Sequence, residues 1–181
     1  TLAQTPMRLA KDEMILIDSL HGFYPDMTGD IPVQQKFMLY LEPLLQMKDD
    51  AGEYVRWTDL RLIRRMLRDA AHRAYSPTKT LEHWHYVRAS ELRNIIPYIN
   101  NADYIVNSGM PYELPLYAAR LLDDFGKWAE QYRNDPLRQD ASERAARIYK
   151  LLQSVTPVRD EGIIPADSVL REFIGGSCYE Y

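Results

Sequence analysis

The sequence predicts an α/β fold in which helices pack against a sheet of parallel strands. Short apolar runs bounded by turn residues, which are typical of buried strands, alternate along the chain with longer segments of helical periodicity. The C-terminal half is rich in helical patterns, because only helices follow the last predicted strand. With 181 residues, the chain has the length of a single domain.

Three segments have the character of strands. The first is MILIDSL (residues 14–20), an apolar run that contains a carboxylate and precedes the turn HGFYPD. QKFMLYL (residues 35–41) is the second, with a helical turn as its alternative, and a polar loop over 48–57 follows it. NADYIVNS (residues 101–108) is the third and lies between turn residues.

The segment TDLRLIRRMLRDAAHRAYSP (residues 58–77) predicts an amphipathic helix that ends near Tyr75. At about 100° per residue, one broad arc of this helix is apolar and faces a core. That arc consists of Leu60, Ile63, Met66, Leu67, Ala70, Ala71 and Ala74. The opposite arc carries Arg61, Arg64, Arg65 and Arg68, extended by His72.

The arginine arc favours a phosphate-binding helix. Asp59 and Asp69 lie off the arc, so we expect the arginines to have no acidic partner at helical spacing. The planar fork of an arginine donates two parallel hydrogen bonds to multi-oxygen anions. A solvated helix face is the alternative interpretation, and Arg73 points away from the arc.

Further helices follow the arginine segment. Ser76 and Pro77 suit the N-cap and the first position of the next helix. Two more helices are predicted, one beginning near Pro115 and one over 141–155. The tail, residues 163–181, combines a short helical turn with a glycine loop.

Composition limits the class of function. The net charge of −4 disfavours a nucleic-acid binder, and the arginine arc therefore indicates a small anionic ligand. The single cysteine, Cys178, cannot form an internal disulfide, which is consistent with a reducing compartment. The sequence shows neither a signal peptide nor an apolar run of membrane-spanning length, so we predict a cytoplasmic protein without a membrane partner.

Asp18 and His21 are candidate site residues near the first predicted strand. Ligands of parallel α/β sheets bind at the carboxyl ends of strands, where the carboxylate of Asp18 can hold Mg²⁺, directly or through water, or accept a proton. A residue that merely begins a turn is the alternative for Asp18. His21 lies in the following turn and either contacts a ligand or serves only the turn. The glycines form neither a P-loop pattern nor a G-x-G-x-x-G pattern.

Four segments together resemble the uridine kinase and phosphoribulokinase family. ILIDSLHGFYP (residues 15–25) resembles the Walker-B strand and loop, and residues 59–91 resemble the lid helices. ADYIVNSGMPYELPLY (residues 102–117) is similar to the strand and helix that follow. SVLREFIGGSCYEY (residues 168–181) resembles the C-terminus of a bacterial uridine kinase-like subfamily. The match covers nearly the whole chain.

The resemblance implies a partial P-loop kinase-type three-layer fold with few parallel strands and a helical lid. It places the Walker-B strand region over 14–57, the lid helices over 58–98, and the last strand and C-terminal helices over 99–181. ATP and Mg²⁺ would be cosubstrates, and the γ-phosphate would move to a hydroxyl of a nucleoside or another small metabolite.

The resemblance also assigns residues. Asp18 matches the Walker-B acid, which is more often Glu in the family, and would support Mg²⁺. Arg65, Arg68 and Arg73 match lid arginines, so that the expected phosphate-binding residues are Arg61, Arg64, Arg65, Arg68 and Arg73. Tyr75 is a candidate substrate contact, since it stands where uridine–cytidine kinases have an arginine that contacts the nucleoside; this departure puts a uridine substrate in question.

The family's P-loop and first strand precede the Walker-B strand, and this sequence begins with Thr1 just before that strand. We therefore expect a C-terminal portion of a longer kinase-like protein, inactive alone, whose partner is the missing P-loop segment. Its sheet would lack the middle strand and leave unpaired edges and exposed apolar faces. The sequence is also compatible with a homo-oligomer. The alternatives are a non-catalytic module that binds a phosphorylated metabolite and a helical protein-interaction domain.

Overall fold

A computed structural model describes residues 7–72 and 75–180 of the chain. In these residues the protein is a mixed α/β structure in which helices predominate and the sheet is small. The α/β class predicted from the sequence is confirmed at this level, including the helix-rich C-terminal half.

The sheet of the described chain consists of two strands, β1 (Leu39–Glu42) and β2 (Tyr104–Asn107). They pair in parallel, with Leu39 opposite Tyr104 and Glu42 opposite Asn107. The second and third predicted strands are therefore neighbours. Parallel strands need a long crossover, and here two long helices supply it.

The helices match the predicted order closely. α1 (Pro25–Thr28) and α6 (Arg171–Ile174) are single turns. The longer helices are α2 (Trp57–His72), α3 (Pro77–Asn94), α4 (Glu113–Tyr132) and α5 (Gln139–Gln153). Short 3₁₀ turns occur at Val33–Gln35, Ile96–Asn101 and Glu161–Ile163.

The arginine-rich helix α2 lies at the centre of the packing, between α3 on one side and α6 on the other, while α4 and α5 form a helical hairpin. Its predicted apolar arc is buried at Leu60, Ile63, Met66 and Leu67. Ala70 and Ala71 are exposed, which corrects the predicted extent of that arc, and Ala74 lies outside the described residues. Leu62, one turn before Met66, widens the buried face. The buried face of α2 is broad because both α3 and α6 pack against this helix.

Residues 14–20 do not form the predicted buried strand. Met14 and Leu16 are 89% and 91% exposed in irregular backbone, and Asp18 is exposed as well. A strand needs a hydrogen-bonding neighbour to form, and the described chain places none beside this segment.

One face of the sheet is also exposed. Leu39 and Leu41 of β1 and Tyr104 of β2 share this face, because residues in register on parallel strands point to the same side. Parallel sheets are normally covered on both faces. Within the described residues, this face of the sheet is therefore left uncovered.

Among residues 7–72 and 75–180, none of the helices combines the length and the apolar character that a membrane crossing requires.

Substitution of Leu60 by Ala should lower the free energy of unfolding by about 2–5 kcal/mol, because the side chain is fully buried in the core and leaves a cavity. Leu92→Ala, on the exposed face of α3, is the matched control and should change it by less than about 0.5 kcal/mol. Denaturant unfolding measures both. Equal effects would show that α2 does not belong to the core.

Candidate functional site

Each arginine of the predicted arc contacts a carboxylate in the structure. The partners are Glu42 and Glu91 for Arg61, Glu113 for Arg64, Asp69 for Arg65 and Glu172 for Arg68. The expectation that the arc has no acidic partner at helical spacing is wrong, because Asp69 pairs with Arg65 four residues earlier. The remaining partners come from distant segments, which helical periodicity does not detect.

Arg61 lies at the carboxyl end of β1. Its Nη1 donates to Glu42 Oε2 at 3.0 Å, and its Nη2 lies 2.7 Å from Glu91 Oε1. The Tyr40 hydroxyl donates to Glu42 at 2.7 Å, and Arg88 also pairs with Glu91. Burial raises the pKa of the Glu42 carboxyl, while the charge of Arg61 opposes that shift. Two arginines thus neutralise two buried carboxylates.

Arg64 lies at the carboxyl end of β2 and is 7% exposed. Its Nε and Nη2 donate to the two carboxylate oxygens of Glu113 at 2.8 and 2.5 Å. The Ser108 carbonyl accepts from Nη2 at 2.6 Å, and the Ser108 hydroxyl accepts from Nη1 at 3.3 Å. Four of its five N–H groups are therefore engaged, which leaves little for a phosphate.

The partner of Arg64 is itself held firmly. Glu113 accepts from the Tyr117 hydroxyl at 2.9 Å and from the Met110 backbone N–H at 2.7 Å. Burial alone would lower the pKa of Arg64, but the hydrogen bonds and charge of Glu113 raise it. Burial also raises the pKa of Tyr117, so the phenol stays protonated. The pair is a structural connection between α2, α4 and the end of β2.

Arg65 borders a cleft with a volume of about 190 Å³, which we call the Arg65 cleft. Its lining consists of Arg65, Asp69, Tyr75, Thr80, His83 and Val87. The Nε of Arg65 donates to Asp69 at 2.5 Å, and its two Nη groups make no hydrogen bond to the described residues. The side chain of Arg65 is 38% exposed, so part of it is accessible to a ligand.

Hydroxyl and imidazole groups surround the same cleft. The Tyr75 hydroxyl lies 3.1 Å from His83 Nδ1, with the donor set by the tautomer. The Thr80 hydroxyl oxygen is buried and has no hydrogen-bond partner within the described chain. A buried hydroxyl without a partner is costly, and a ligand that supplied the partner would remove that cost.

A larger depression of about 540 Å³ lies between α4 and α5, lined by residues that include Asp123, Lys127, Arg133 and Tyr149. It shares no lining residue with the Arg65 cleft and contains none of the predicted site residues. Because the predicted site residues Arg65 and Tyr75 line the Arg65 cleft instead, that cleft is the better candidate.

Asp18 and His21 are not joined to the arginine helix by any hydrogen bond or ion pair in the described chain. Both side chains are exposed in the irregular N-terminal region. Arg73 lies outside the described residues. Within residues 7–72 and 75–180, no group of three acidic, histidine or cysteine side chains could hold a metal ion.

Sequence analysis missed the buried acids of the arginine network and four residues that line the cleft, Asp69, Thr80, His83 and Val87. Glu42 ends β1, and Glu113 begins the helix that follows β2. A carboxylate near the end of an apolar strand is a candidate partner for the arginines, so the sequence did contain an indication of both. Thr80 and His83 lie three residues apart on α3 and therefore face the same side. The spacing alone does not indicate a binding site; the position of Tyr75 beside His83 in the structure does.

Comparison with known protein families, with characterised proteins and with solved structures gives no significant match for this chain.

Arg64→Ala should lower the free energy of unfolding by about 3–5 kcal/mol, because it leaves the Glu113 carboxylate buried without its charge partner. The matched change Arg68→Ala removes a partly exposed pair and should cost less than about 1 kcal/mol. Urea unfolding at neutral pH measures both. If both variants lost less than about 1 kcal/mol of unfolding free energy, Arg64 would not be a structural ion pair and would again be a candidate phosphate ligand.

Proposed function

We propose that this chain is the lid-bearing part of a uridine kinase-like phosphotransferase, which transfers the γ-phosphate of ATP to a hydroxyl of a nucleoside or another small metabolite. One observation carries the proposal. Arg65, expected to contact phosphate, and Tyr75, expected to contact the acceptor, line one cleft although ten positions separate them in the sequence.

The chemistry of the Arg65 cleft suits a small acceptor with hydroxyl or amide groups. Thr80, Tyr75 and His83 offer a mixture of donors and acceptors, and Val87 adds an apolar wall. A volume of about 190 Å³ holds one ring of such a molecule rather than a whole dinucleotide. The free Nη donors of Arg65 at the same cleft would meet the phosphoryl group as it approaches the acceptor.

The four helix arginines divide into two groups under this proposal. Arg61 and Arg64 hold the carboxyl ends of β1 and β2 in place, where a parallel sheet binds its ligand. Arg65 and Arg68 are about one third exposed and keep donors for phosphate oxygens. We therefore assign the phosphate contacts of the lid to Arg65 and Arg68.

The residues described here fit ATP and Mg²⁺ only in part. Arg65 and Arg68 suit phosphate oxygens, whereas no glycine loop of the P-loop pattern is present in the sequence to wrap them. Mg²⁺ commonly takes one or two carboxylates together with substrate phosphates, and Asp18 would be one such ligand. The nucleotide cradle would have to come from a further segment.

We propose that the further segment supplies a parallel strand between β1 and residues 14–17. The free edge of β1, the exposed face with Leu39 and Leu41, and the exposed apolar run over 14–17 support this arrangement. A central strand would give both apolar segments hydrogen-bonding partners and cover. It would also bring Asp18 to the edge where Arg61 and Arg64 lie.

Acceptor binding can be measured on the chain itself by calorimetric titration with uridine, cytidine and ribose. Thr80→Val should weaken binding of the best ligand about two- to tenfold, the value of one hydrogen bond, while leaving stability equal or higher because the lost hydroxyl had no partner. A separate titration with inorganic phosphate tests Arg65: Arg65→Lys should weaken phosphate binding by a similar factor, because lysine keeps the charge but loses the fork.

Two controls make this test specific. Thr78→Val, on the same helix, removes a hydroxyl that already bonds to Ser76, and Arg133→Lys alters an exposed ion pair of α4. Neither should change ligand affinity. Absence of binding by any ligand, or equal effects of Thr80→Val and Thr78→Val, would refute the cleft as an acceptor site. In a protein that carries the further segment, phosphate-dependent binding that Mg²⁺ and ATP do not influence would favour the non-catalytic module instead.

Leu16→Asp tests the completed sheet. On this chain alone it should change the free energy of unfolding by less than about 0.5 kcal/mol, because Leu16 is almost fully exposed. In a protein that carries the additional strand, the same change should abolish turnover in a coupled ADP-release assay, since a charge would enter a buried strand. The isolated wild-type chain should show no turnover. Robust turnover by it, or a harmless Leu16→Asp in the longer protein, would contradict the proposal.

A further inference from the structure

The C-terminal segment packs over α2, and the proposed function gives this segment no role. We define the C-terminal clasp as residues 161–178, which include α6 and the glycine loop. Leu170, Phe173 and Ile174 are buried in the core. The Phe173 ring lies 5.0 Å from the guanidinium carbon of Arg64, so the clasp covers the arginine face of α2.

Two arginines outside α2 hold the clasp in shape. Arg120 pairs with Glu161 and donates to the Ile174 carbonyl at 2.6 Å. Arg171 donates to the carbonyls of Glu161 and Ile164 and, at 3.3 Å, to that of Gly175. The clasp is therefore an ordered element with its own hydrogen bonds.

Glu172 is the point at which the clasp meets the exposed arginines. Its Oε1 accepts from Arg68 Nη1 at 3.2 Å, and its carbonyl lies 3.1 Å from His72 Nε2. The side chains of Arg68 and Glu172 are 35% and 24% exposed. The single long contact leaves Arg68 unsaturated, and its Nε–H is buried without a hydrogen-bond partner in the described chain.

We propose that Glu172 is a built-in competitor for anions at Arg68, and that a phosphate ligand displaces its carboxylate and loosens the C-terminal clasp. A partly exposed ion pair is weak, so its exchange costs little. A phosphate carries more charge and more acceptor oxygens than a carboxylate, and the fork of an arginine binds it with two parallel hydrogen bonds. The proposal rests on the proposed function only in taking the ligand of Arg68 to be a phosphate.

The competition predicts a reciprocal coupling. If phosphate binding disfavours the docked clasp, then docking of the clasp must disfavour phosphate binding by the same factor. The chain offers a probe for the clasp, because its single cysteine, Cys178, is exposed and ends the segment. Its backbone N–H donates to the Ala166 carbonyl at 2.9 Å, so a label there reports on the docked loop.

The test titrates the full chain with inorganic pyrophosphate, by calorimetry and by the fluorescence of a dye on Cys178. Glu172→Gln should raise pyrophosphate affinity about two- to fivefold, the factor that a weak surface pair represents. Glu180→Gln removes the same charge from an exposed glutamate near the end of the chain and should leave affinity unchanged. Pyrophosphate should change the dye signal in the wild-type chain and not in Arg68→Ala.

The double variant Arg68→Ala with Glu172→Gln should bind as weakly as Arg68→Ala alone, because both changes act on one site. Unchanged or weaker binding by Glu172→Gln, or an equal gain in Glu180→Gln, would overturn the proposal. Should Glu172→Gln fail to fold, Glu172→Ala replaces it, since it also removes the competing carboxylate and should give the same gain. Failure of acceptor binding in the Arg65 cleft would remove the proposed function and leave this result standing.

Discussion

The buried ion pair between Arg64 and Glu113 constrains the rest of the structure. Both groups are almost inaccessible to water, and a buried charge is tolerated only when its partners are in place. The pair fixes α2 against α4, holds the Ser108 carbonyl at the end of β2, and places Phe173 of α6 over the guanidinium. Four elements from distant parts of the chain must therefore assemble together.

This constraint explains why one helix has arginines of two kinds. Arg61 and Arg64, in the first half of α2, pair with carboxylates near the strand ends. These groups are shielded from water, so each charge needs a partner. Arg65 and Arg68, each about one turn further along the helix, are about one third exposed, and their carboxylate partners engage only part of each guanidinium. A stripe that looks uniform in the sequence thus contains two arginines held by buried carboxylates and two that are partly exposed.

The sequence predicted local structure well and distant contacts poorly. The helix start at Ser76 and Pro77 and the strands around Tyr40 and Ile105 depend on short-range signals, and the structure contains them. Residues 14–17 were mispredicted because an apolar run specifies a strand only where a neighbouring strand exists. The burial of Arg64 escaped prediction since Glu113 lies 49 positions away.

The parallel pairing of β1 with β2 also governs the order in which the chain can fold. Paired residues of β1 and β2 lie 65 positions apart in the sequence. Sheet formation must therefore offset the entropy cost of closing a long loop before the strands gain any hydrogen bonds. The hairpin of α4 and α5, by contrast, has a short connection between Arg133 and Arg138 and gains its contacts locally. The hairpin would therefore form before the sheet and offer a surface on which the N-terminal half can pack. Until then, the apolar residues of β1 and β2 would remain exposed to water.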